Sequence, residues 1–201
     1  MFAELLRERL AGIAELSAEQ VAALQAHYLL LERWNRSLNL TSIDRLEQVV
    51  ERHYCESLFA GRVFEQFPER IADIGSGAGF PGLPLAILRP DCSVTLIESH
   101  QRKAVFLKEA TRKVANVRVL ARRAEEVRES FDWAVSRAVS YEDLAVCLPL
   151  LSPKVALLTG VEAPGDGLGY EWQAAIALPW GTQRFLRVGD RVSRGTEPSG
   201  K

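Results

Sequence analysis

Three glycines at alternate positions, Gly75, Gly77 and Gly79, directly follow a short apolar segment, residues 71–74, that carries Asp73. Glycine adopts backbone conformations that other residues resist and lets a ligand approach the main chain closely. A strand that leads into a glycine turn and then into the start of a helix is typical of loops that cradle nucleotides. This segment therefore predicts a nucleotide-binding loop.

Two acidic positions follow the next predicted strands. Glu98 ends the second strand about twenty residues after the loop, where its carboxylate can accept hydrogen bonds from both ribose hydroxyls. Ala124 and Glu125 come shortly after the third strand, where adenine can contact backbone and side chain. The alternatives are a solvated strand end for Glu98 and an ordinary helix surface for Glu125.

The elements that must position these residues alternate between strand and helix from residue 70 onward. The predicted strands are 70–74, 93–97, 117–120, 131–135 and 154–158. Helices are expected after Pro81, over 100–114 and from Ser140 to the residue before Ser152. Two further apolar runs, 173–179 and 184–188, predict a closing antiparallel pair. This order predicts a parallel sheet with helices on both faces and ligands at the carboxyl ends of its strands.

Three helices are expected before the sheet. The first covers 2–14, the second begins at the Ser17 capping box and ends near Trp34, and the third runs from near Asp44 through Leu58. We expect these helices to form an N-terminal extension packed on the core. The predicted organisation is an extension over 1–62, a cofactor-binding domain over 63–190 and a flexible tail over 191–201.

Composition is that of an ordinary globular protein, with 47% apolar and 25% charged residues in 201. No run of about 18 apolar residues is present, so no membrane span is expected. Cys55, Cys92 and Cys147 are isolated and lack metal-ligand spacing. We expect a cytoplasmic protein without a metal, and nothing in the sequence demands more than a monomer.

Positive charge is concentrated in one stretch although the net charge of the chain is −1. Nine basic residues between Gln101 and Arg128 face three acidic ones, a local balance of +6. Such a patch can follow a phosphate backbone or can simply be a solvated helix face. His53 also has two interpretations, a hydrogen-bonded packing residue or a site residue beside Arg52.

The segment from Asp73 to Pro84, D-I-G-S-G-A-G-F-P-G-L-P, resembles the signature of the RsmG/GidB family of bacterial ribosomal RNA methyltransferases. Shorter motifs resemble the family pattern in the same order: Trp34-Asn35, Asn39-Leu40-Thr41, Arg52-His53, Ser57-Leu58 and Ser136-Arg137-Ala138. The resemblance implies an α/β, Rossmann-like, class-I S-adenosylmethionine (SAM) methyltransferase fold. We expect a mainly parallel seven-stranded sheet with an antiparallel closing strand, preceded by N-terminal helices.

The resemblance implies SAM-dependent methylation of guanine N7 in 16S ribosomal RNA, either as RNA or in a small-subunit precursor. The implied cofactor-binding residues are Asp73, Gly75, Gly77, Gly79, Phe80, Glu98, Ala124, Glu125 and Arg137. Arg137, at the end of the fourth strand, is also the expected catalytic residue. The expected RNA-binding residues are Arg52, His53, Arg102, Lys103, Arg122 and Arg123.

One departure from the family pattern concerns Thr159, which occupies a position where the family usually has lysine. Threonine supplies no charge to a phosphate, so an RNA contact at this position is in doubt. The region after Gly160 is also short and rich in glycine compared with relatives. Neither change affects the glycine loop.

The chemistry of N7 methylation needs no general base, because guanine N7 already has an in-plane lone pair. The sequence agrees, since it shows no Ser/His/Asp or metal-ligand constellation. Catalysis would then depend on alignment in a water-poor site. The alternatives are a SAM-dependent enzyme acting on a small molecule or protein, and a non-catalytic RNA-binding module that retains SAM. A NAD dehydrogenase comes last, because the loop lacks the G-x-G-x-x-G spacing.

Overall fold

The computed structural model describes residues 1–64 and 69–192. Its N-terminal part is helical, and the elements are α1 (Phe2–Leu10), α2 (Ala18–Leu38), α3 (Leu46–Val49), a π-helix (Val50–Cys55), α4 (Glu56–Ala60) and a 3₁₀ turn (Gly61–Val63). The remaining helices are α5 (Gly82–Leu88), α6 (Gln101–Ala110) and α7 (Tyr141–Leu151), with 3₁₀ turns at Ala124–Glu126 and Asp166–Leu168. The strands are β1 (Arg70–Ile74), β2 (Ser93–Ile97), β3 (Val117–Leu120), β4 (Trp133–Arg137), β5 (Lys154–Thr159), β6 (Tyr170–Trp172), β7 (Ile176–Ala177) and β8 (Phe185–Arg191).

The strands form one sheet with the order β3-β2-β1-β4-β5-β8-β6, and β7 pairs with β8 beside this path. Neighbouring strands from β3 to β5 are parallel, whereas β8 is antiparallel to β5, β6 and β7. The mainly parallel α/β fold with an antiparallel closing strand is thus confirmed. The described sheet has eight strands instead of seven, because the two-residue β7 adds one.

The closing segment differs most from the prediction. Only Ile176–Ala177 (β7) of the expected strand over 173–179 is formed, and a separate strand, β6, precedes that range, directly after Gly169 in the left-handed conformation. The Tyr170 hydroxyl donates to the carbonyls of Leu148 and Ser152, which ties β6 to the end of α7. Ile176 is exposed, so the apolar run at this position does not contribute to the core.

The ends of α1 and α2 differ from the predicted ends. The prediction that α2 ends near Trp34 is wrong: Asn39 terminates the helix in the left-handed conformation, with φ 47°. The Asn35 side chain then bonds the N–H and the C=O of Thr41, which fixes the turn after the helix. At the N-terminus α1 ends at Leu10, and the expected helix over 11–14 is not formed.

The N-terminal helices and the sheet share one hydrophobic core. Leu6, Leu24 and Tyr54 belong to the same buried cluster as Leu83 and Leu96. A second cluster covers the opposite face of the sheet, beneath α7. The division at residues 62 and 63 stays a prediction, and the tail after Val192 lies outside the described residues.

Candidate active site

A cavity of about 930 Å³ opens at the carboxyl ends of β1, β4 and β5, the edge predicted to bind ligands. One wall is the loop after β1, and segments after β4 and β5 form the opposite side. The N-terminal region contributes 39–43 together with Arg52 and His53, and Lys103 and Arg184 complete the lining. The cavity therefore draws on both parts of the chain.

The glycine loop has a backbone conformation that suits glycine. Gly75, Gly77 and Gly79 have φ values of 68°, 55° and 92°. A Cβ on Gly75 would lie 2.4 Å from Cγ2 of Val139, whereas a Cβ on Gly77 would meet no atom closer than 3.8 Å. Gly75 is closely packed, whereas Gly77 faces open space. The backbone of the loop is therefore accessible from the cavity.

Glu98 supports this loop from β2. Its Oε2 accepts the Gly77 N–H at 2.9 Å, and its Oε1 accepts the His100 N–H at 2.8 Å. The side chain is buried beside the loop, outside the residues that line the cavity. Glu98 therefore fixes the loop backbone, and its contact with a ribose stays a prediction.

Asp73 joins the end of β1 to the start of α5. The carboxyl is fully buried, and its Oδ2 accepts the Gly82 N–H at 3.0 Å, while Oδ1 has no hydrogen-bond partner in the described chain. Burial raises the pKa of Asp73 to about 7. A Cβ on Gly82 would lie 2.6 Å from the Asp73 Cβ, so only glycine fits there.

The loop is also held from the N-terminal helices by a hydrogen-bond relay that the sequence did not reveal. The Tyr54 hydroxyl lies 2.9 Å from His27 Nδ1, and His27 Nε2 lies 2.9 Å from the carbonyl oxygen of Ala78. Because a carbonyl only accepts, Nε2 carries the proton and Nδ1 accepts from Tyr54. Burial lowers the pKa of His27 to about 4, so the ring is neutral at physiological pH.

His53 is both a packing residue and part of the cavity wall. Its ring stacks on Phe80 with centroids 4.7 Å apart, and Nε2 lies 2.8 Å from Thr41 Oγ1. Burial, together with the nearby Arg137 charge, lowers the pKa of His53 to about 2. The two interpretations of this residue therefore do not exclude each other.

Arg137 connects β4 to the π-helix. Its Nη1 donates to the Arg52 carbonyl at 2.6 Å, and its Cζ lies 5.2 Å from the centre of the Phe80 ring. Burial lowers the pKa of Arg137 to about 10, which leaves the guanidinium charged at neutral pH. π-Helical turns are frequent at functional sites, and this one offers a carbonyl that holds Arg137.

The predicted RNA-binding residues divide into two groups. Arg52, His53 and Lys103 line the cavity. Arg102, Arg122 and Arg123 lie outside its lining: Arg102 donates to the Ser37 carbonyl at 3.5 Å, and Arg123 is 3.7 Å from Glu125.

The expected adenine residues also lie outside the cavity lining. Ala124 and Glu125 form a 3₁₀ turn after β3, and both are at least partly exposed to solvent. Their predicted contact with adenine stays a prediction.

An ion pair that the sequence did not suggest closes the far side of the cavity. The Glu56 carboxylate is fully buried and accepts both Nε and Nη2 of Arg184, at 3.0 and 2.6 Å. The two residues are 128 positions apart, so no local pattern links them. Arg184 lines the cavity with its charge already paired.

Two kinds of feature are absent from residues 1–64 and 69–192. No helix there is long and apolar enough to cross a membrane. In the same ranges, no group of three or more His, Cys, Asp or Glu residues is arranged to hold a metal ion.

A family model described as rRNA small subunit methyltransferase G (GidB) matches residues 20–159. The chain is 41% identical over 149 residues to the ribosomal RNA small subunit methyltransferase G of Halorhodospira halophila, covering 72% of this chain and 70% of that protein. It is also 41% identical over 137 residues to the protein of that name from Mycoplasma capricolum, covering 66% of this chain and 59% of that protein. The chain thus spans 59% and 70% of the lengths of these relatives.

The fold is similar to that of a SAM-dependent methyltransferase from Aquifex aeolicus, with a TM-score of 0.56 and 15% identity over 72% of this chain and 93% of that one. This likeness confirms the class-I SAM methyltransferase fold. The family match covers the second helix, the glycine loop and strands β1 to β5. The chain therefore belongs to the GidB family, rRNA small subunit methyltransferase G.

Proposed function

We propose that the chain transfers the methyl group of SAM to N7 of a guanine in 16S ribosomal RNA. The observation that carries this proposal is the position of Arg137 between two unlike walls of one cavity. Its guanidinium lies over the Phe80 ring of the glycine loop and donates to the Arg52 carbonyl, and the exposed Arg52 and the half-buried Lys103 are cations that line the same cavity. A cofactor and a polyanion can therefore meet at this residue.

The loop wall suits SAM. Gly75 and Gly77 present backbone to the cavity, and the open space at Gly77 leaves room for the amino-acid or ribose part of the cofactor. Phe80 offers a buried aromatic edge beside Arg137. When bound, SAM supplies an electrophilic methyl group on a positively charged sulfur. The residues of this chain then hold the acceptor in line with that group.

The acceptor side requires orientation more than proton transfer. Guanine N7 attacks through its lone pair, and O6 is the neighbouring acceptor on the same edge of the base. One amino group of Arg137 is held by the Arg52 carbonyl, which leaves other N–H groups for guanine O6. His53 stays neutral next to Phe80, so it adds no charge to the site as the base becomes positive.

The cation wall suits the RNA backbone. Arg52 is exposed and Lys103 is half-buried, and neither side chain forms an ion pair within the described residues. Free cations at the mouth of a cavity attract phosphates and release counterions on binding. The target guanine must be unpaired or leave its stack to enter. We propose further that the protein acts as a cytoplasmic monomer on 16S rRNA or a small-subunit precursor.

The proposal is tested by transfer of labelled methyl from SAM to 16S rRNA transcribed in vitro and to small subunits reconstituted from it. The label should appear as N7-methylguanine, detected by strand cleavage at the modified base after reduction and aniline treatment. Arg137→Ala should lower the rate at least about 100-fold, because misplacement of the acceptor removes alignment. Arg128→Ala is the matched control, since its guanidinium also donates to a carbonyl, that of Glu125, outside the cavity lining.

Label on a different atom, or transfer that Arg137→Ala leaves unchanged, would contradict the proposal. Loss of activity with increasing salt distinguishes an RNA substrate from a small molecule, because binding of a polyanion weakens steeply with salt.

A further inference from the structure

We propose that Arg187 on β8 forms a phosphate subsite for the ribosomal RNA backbone at the rim of the cavity. The inference rests on the proposed function, since it assumes that RNA enters this cavity. Arg187 lies outside the basic stretch from Gln101 to Arg128, so no pattern in the sequence pointed to it.

The Arg187 guanidinium is held by two residues of the cavity wall. Arg187 Nε donates to Thr159 Oγ1 at 3.0 Å, and Nη2 donates to the Val161 carbonyl at 3.1 Å. Thr159 and Val161 both line the cavity. The antiparallel pairing of β8 with β5, in which Arg187 lies opposite Leu157, brings the side chain to this point. These two contacts place the charge of Arg187 at the cavity rim, although Arg187 itself is not one of the residues that line the cavity.

Arg187 differs from Arg184, a cavity-lining arginine three residues earlier in the chain. The Arg184 guanidinium is paired with the buried Glu56 carboxylate through two hydrogen bonds. Arg187 bonds only neutral oxygens and forms no ion pair with any described carboxylate within 4.0 Å. No carboxylate neutralises its charge within that distance; the Phe185 ring lies 5.3 Å from Cζ, and Glu162 also contributes to the cavity lining.

Arg187 also retains hydrogen-bond donors that suit a phosphate. A guanidinium has five N–H groups, and the Thr159 and Val161 contacts use two of them. Free donors in a planar fork match the oxygens of a phosphate. Because two hydrogen bonds already fix the side chain, little side-chain entropy remains to be lost when a phosphate binds.

The same geometry resolves the departure at Thr159. The neutral threonine at the end of β5 accepts a hydrogen bond from a cation on the neighbouring strand. Positive charge is therefore present at this part of the wall, although Thr159 itself supplies none. The subsite would contact the backbone of the RNA, because it lies at the rim, away from the glycine loop.

The test compares Arg187→Gln with Arg191→Gln. Arg191 is on the same strand and its side chain donates to the Pro149 carbonyl at 2.7 Å, but its N–H bonds the Pro153 carbonyl, next to the Lys154–Asp190 pair at the other end of β5. Binding of the 16S rRNA transcript is measured over a range of salt concentrations, and SAM binding is measured by calorimetry. Arg187→Gln should weaken RNA binding about fivefold and reduce the magnitude of the salt slope by about 1, with SAM affinity unchanged. Arg191→Gln should match the wild type.

Two further variants separate a phosphate contact from a structural role. Arg187→Lys keeps a charge and should retain most of the salt slope. Thr159→Lys in the Arg187→Gln background should restore RNA binding, because it returns a cation to the same wall. If wild-type protein binds RNA and Arg187→Gln has the same affinity and salt slope, the inference is wrong. If wild-type protein neither binds nor methylates rRNA, the proposed function itself fails.

Discussion

The two walls of the cavity are built in opposite ways. The glycine loop is fixed by buried partners, since Glu98 accepts from Gly77 and His27 donates to the Ala78 carbonyl. On the cation wall, the exposed Arg52 and the half-buried Lys103 have no ion-pair partner among the described residues. One wall is organised before a ligand arrives, whereas the other can adapt to it.

This difference indicates that one wall is suited to binding a cofactor and the other to binding a phosphate backbone. A small cofactor is bound with little loss of entropy when the backbone that receives it is already ordered. A phosphate backbone needs charge more than exact placement, and flexible cations supply that charge. The N-terminal helices contribute to both walls, through His27 on one and Arg52 on the other.

The largest effect is expected from Gly82→Ala. A new methyl group would lie 2.5 Å from Leu96 Cδ2 and 2.7 Å from Asp73 Oδ2, both buried. We expect a loss of about 3 kcal/mol in the free energy of unfolding, measured by urea denaturation. Gly167→Ala is the control, because its Cβ would meet no atom within 4 Å. Equal stability of the two variants would show that the base of the loop wall is not tightly packed.

The relay to the loop is tested by Tyr54→Phe. Removing the hydroxyl leaves His27 Nδ1 buried without its donor, so we expect a loss of about 2 kcal/mol in unfolding free energy. Tyr28→Phe should cost less, because the Tyr28 ring keeps its stacking on Phe2 and its hydroxyl is not part of the relay. SAM affinity should fall only in Tyr54→Phe. A larger effect in Tyr28→Phe would count against the relay.

Acid should destabilise the protein through its buried histidines. The pKa of His27 is lowered by burial from 6.5 to about 4, so between these pH values the unfolded chain binds a proton that the folded chain does not. His53, with its pKa lowered to about 2, acts in the same direction. Asp73, with its pKa raised by burial from 3.8 to about 7, acts in the opposite direction, because its folded form holds the extra proton.

Replacing His27 by Gln should therefore reduce the loss of stability on acidification. The variant should remove about 1.4 kcal/mol per pH unit from the slope between pH 6.5 and 4, measured by urea unfolding at several pH values. His100→Gln changes an exposed ring and should keep the wild-type slope. If His27→Gln also leaves the slope unchanged, the imidazole is not held neutral by burial.

The smallest effects are expected when single arginine or lysine residues of the expected RNA-binding set are replaced. Arg52→Gln or Lys103→Gln should each reduce the magnitude of the salt slope of RNA binding by up to about 1. Arg122→Gln and Arg123→Gln should change it less, because these residues lie outside the cavity lining and Arg123 is near Glu125. Equal effects of all four variants would indicate a broad RNA surface rather than one centred on the cavity.

Local patterns in the sequence predicted most of the fold and the loop wall. The order of strands, the three glycines and the position of Arg137 follow from signals a few residues long. The expected strand over 173–179 is reduced to the two residues of β7, which still pair antiparallel with β8, and Ile176 of this apolar run is exposed.

Interactions between distant parts of the chain could not be predicted in this way. His27 and Ala78 are 51 positions apart, and Glu56 and Arg184 are 128 apart. Arg187 gains its place at the rim only through the pairing of β8 with β5. Such contacts depend on the folded topology, so no spacing in the sequence indicates them.

The most direct test is calorimetric titration of the protein with SAM and, separately, with NAD. Gly77→Asp should abolish SAM binding, because its side chain would enter the open space of the cradle beside the Glu98 carboxylate. Gly167→Asp, in open space elsewhere, is the control. We expect one SAM per wild-type chain, no NAD binding, and loss of SAM binding only in Gly77→Asp. Absence of SAM binding to the wild type, or equal binding by Gly77→Asp, would contradict the assignment of the glycine loop as the cofactor wall.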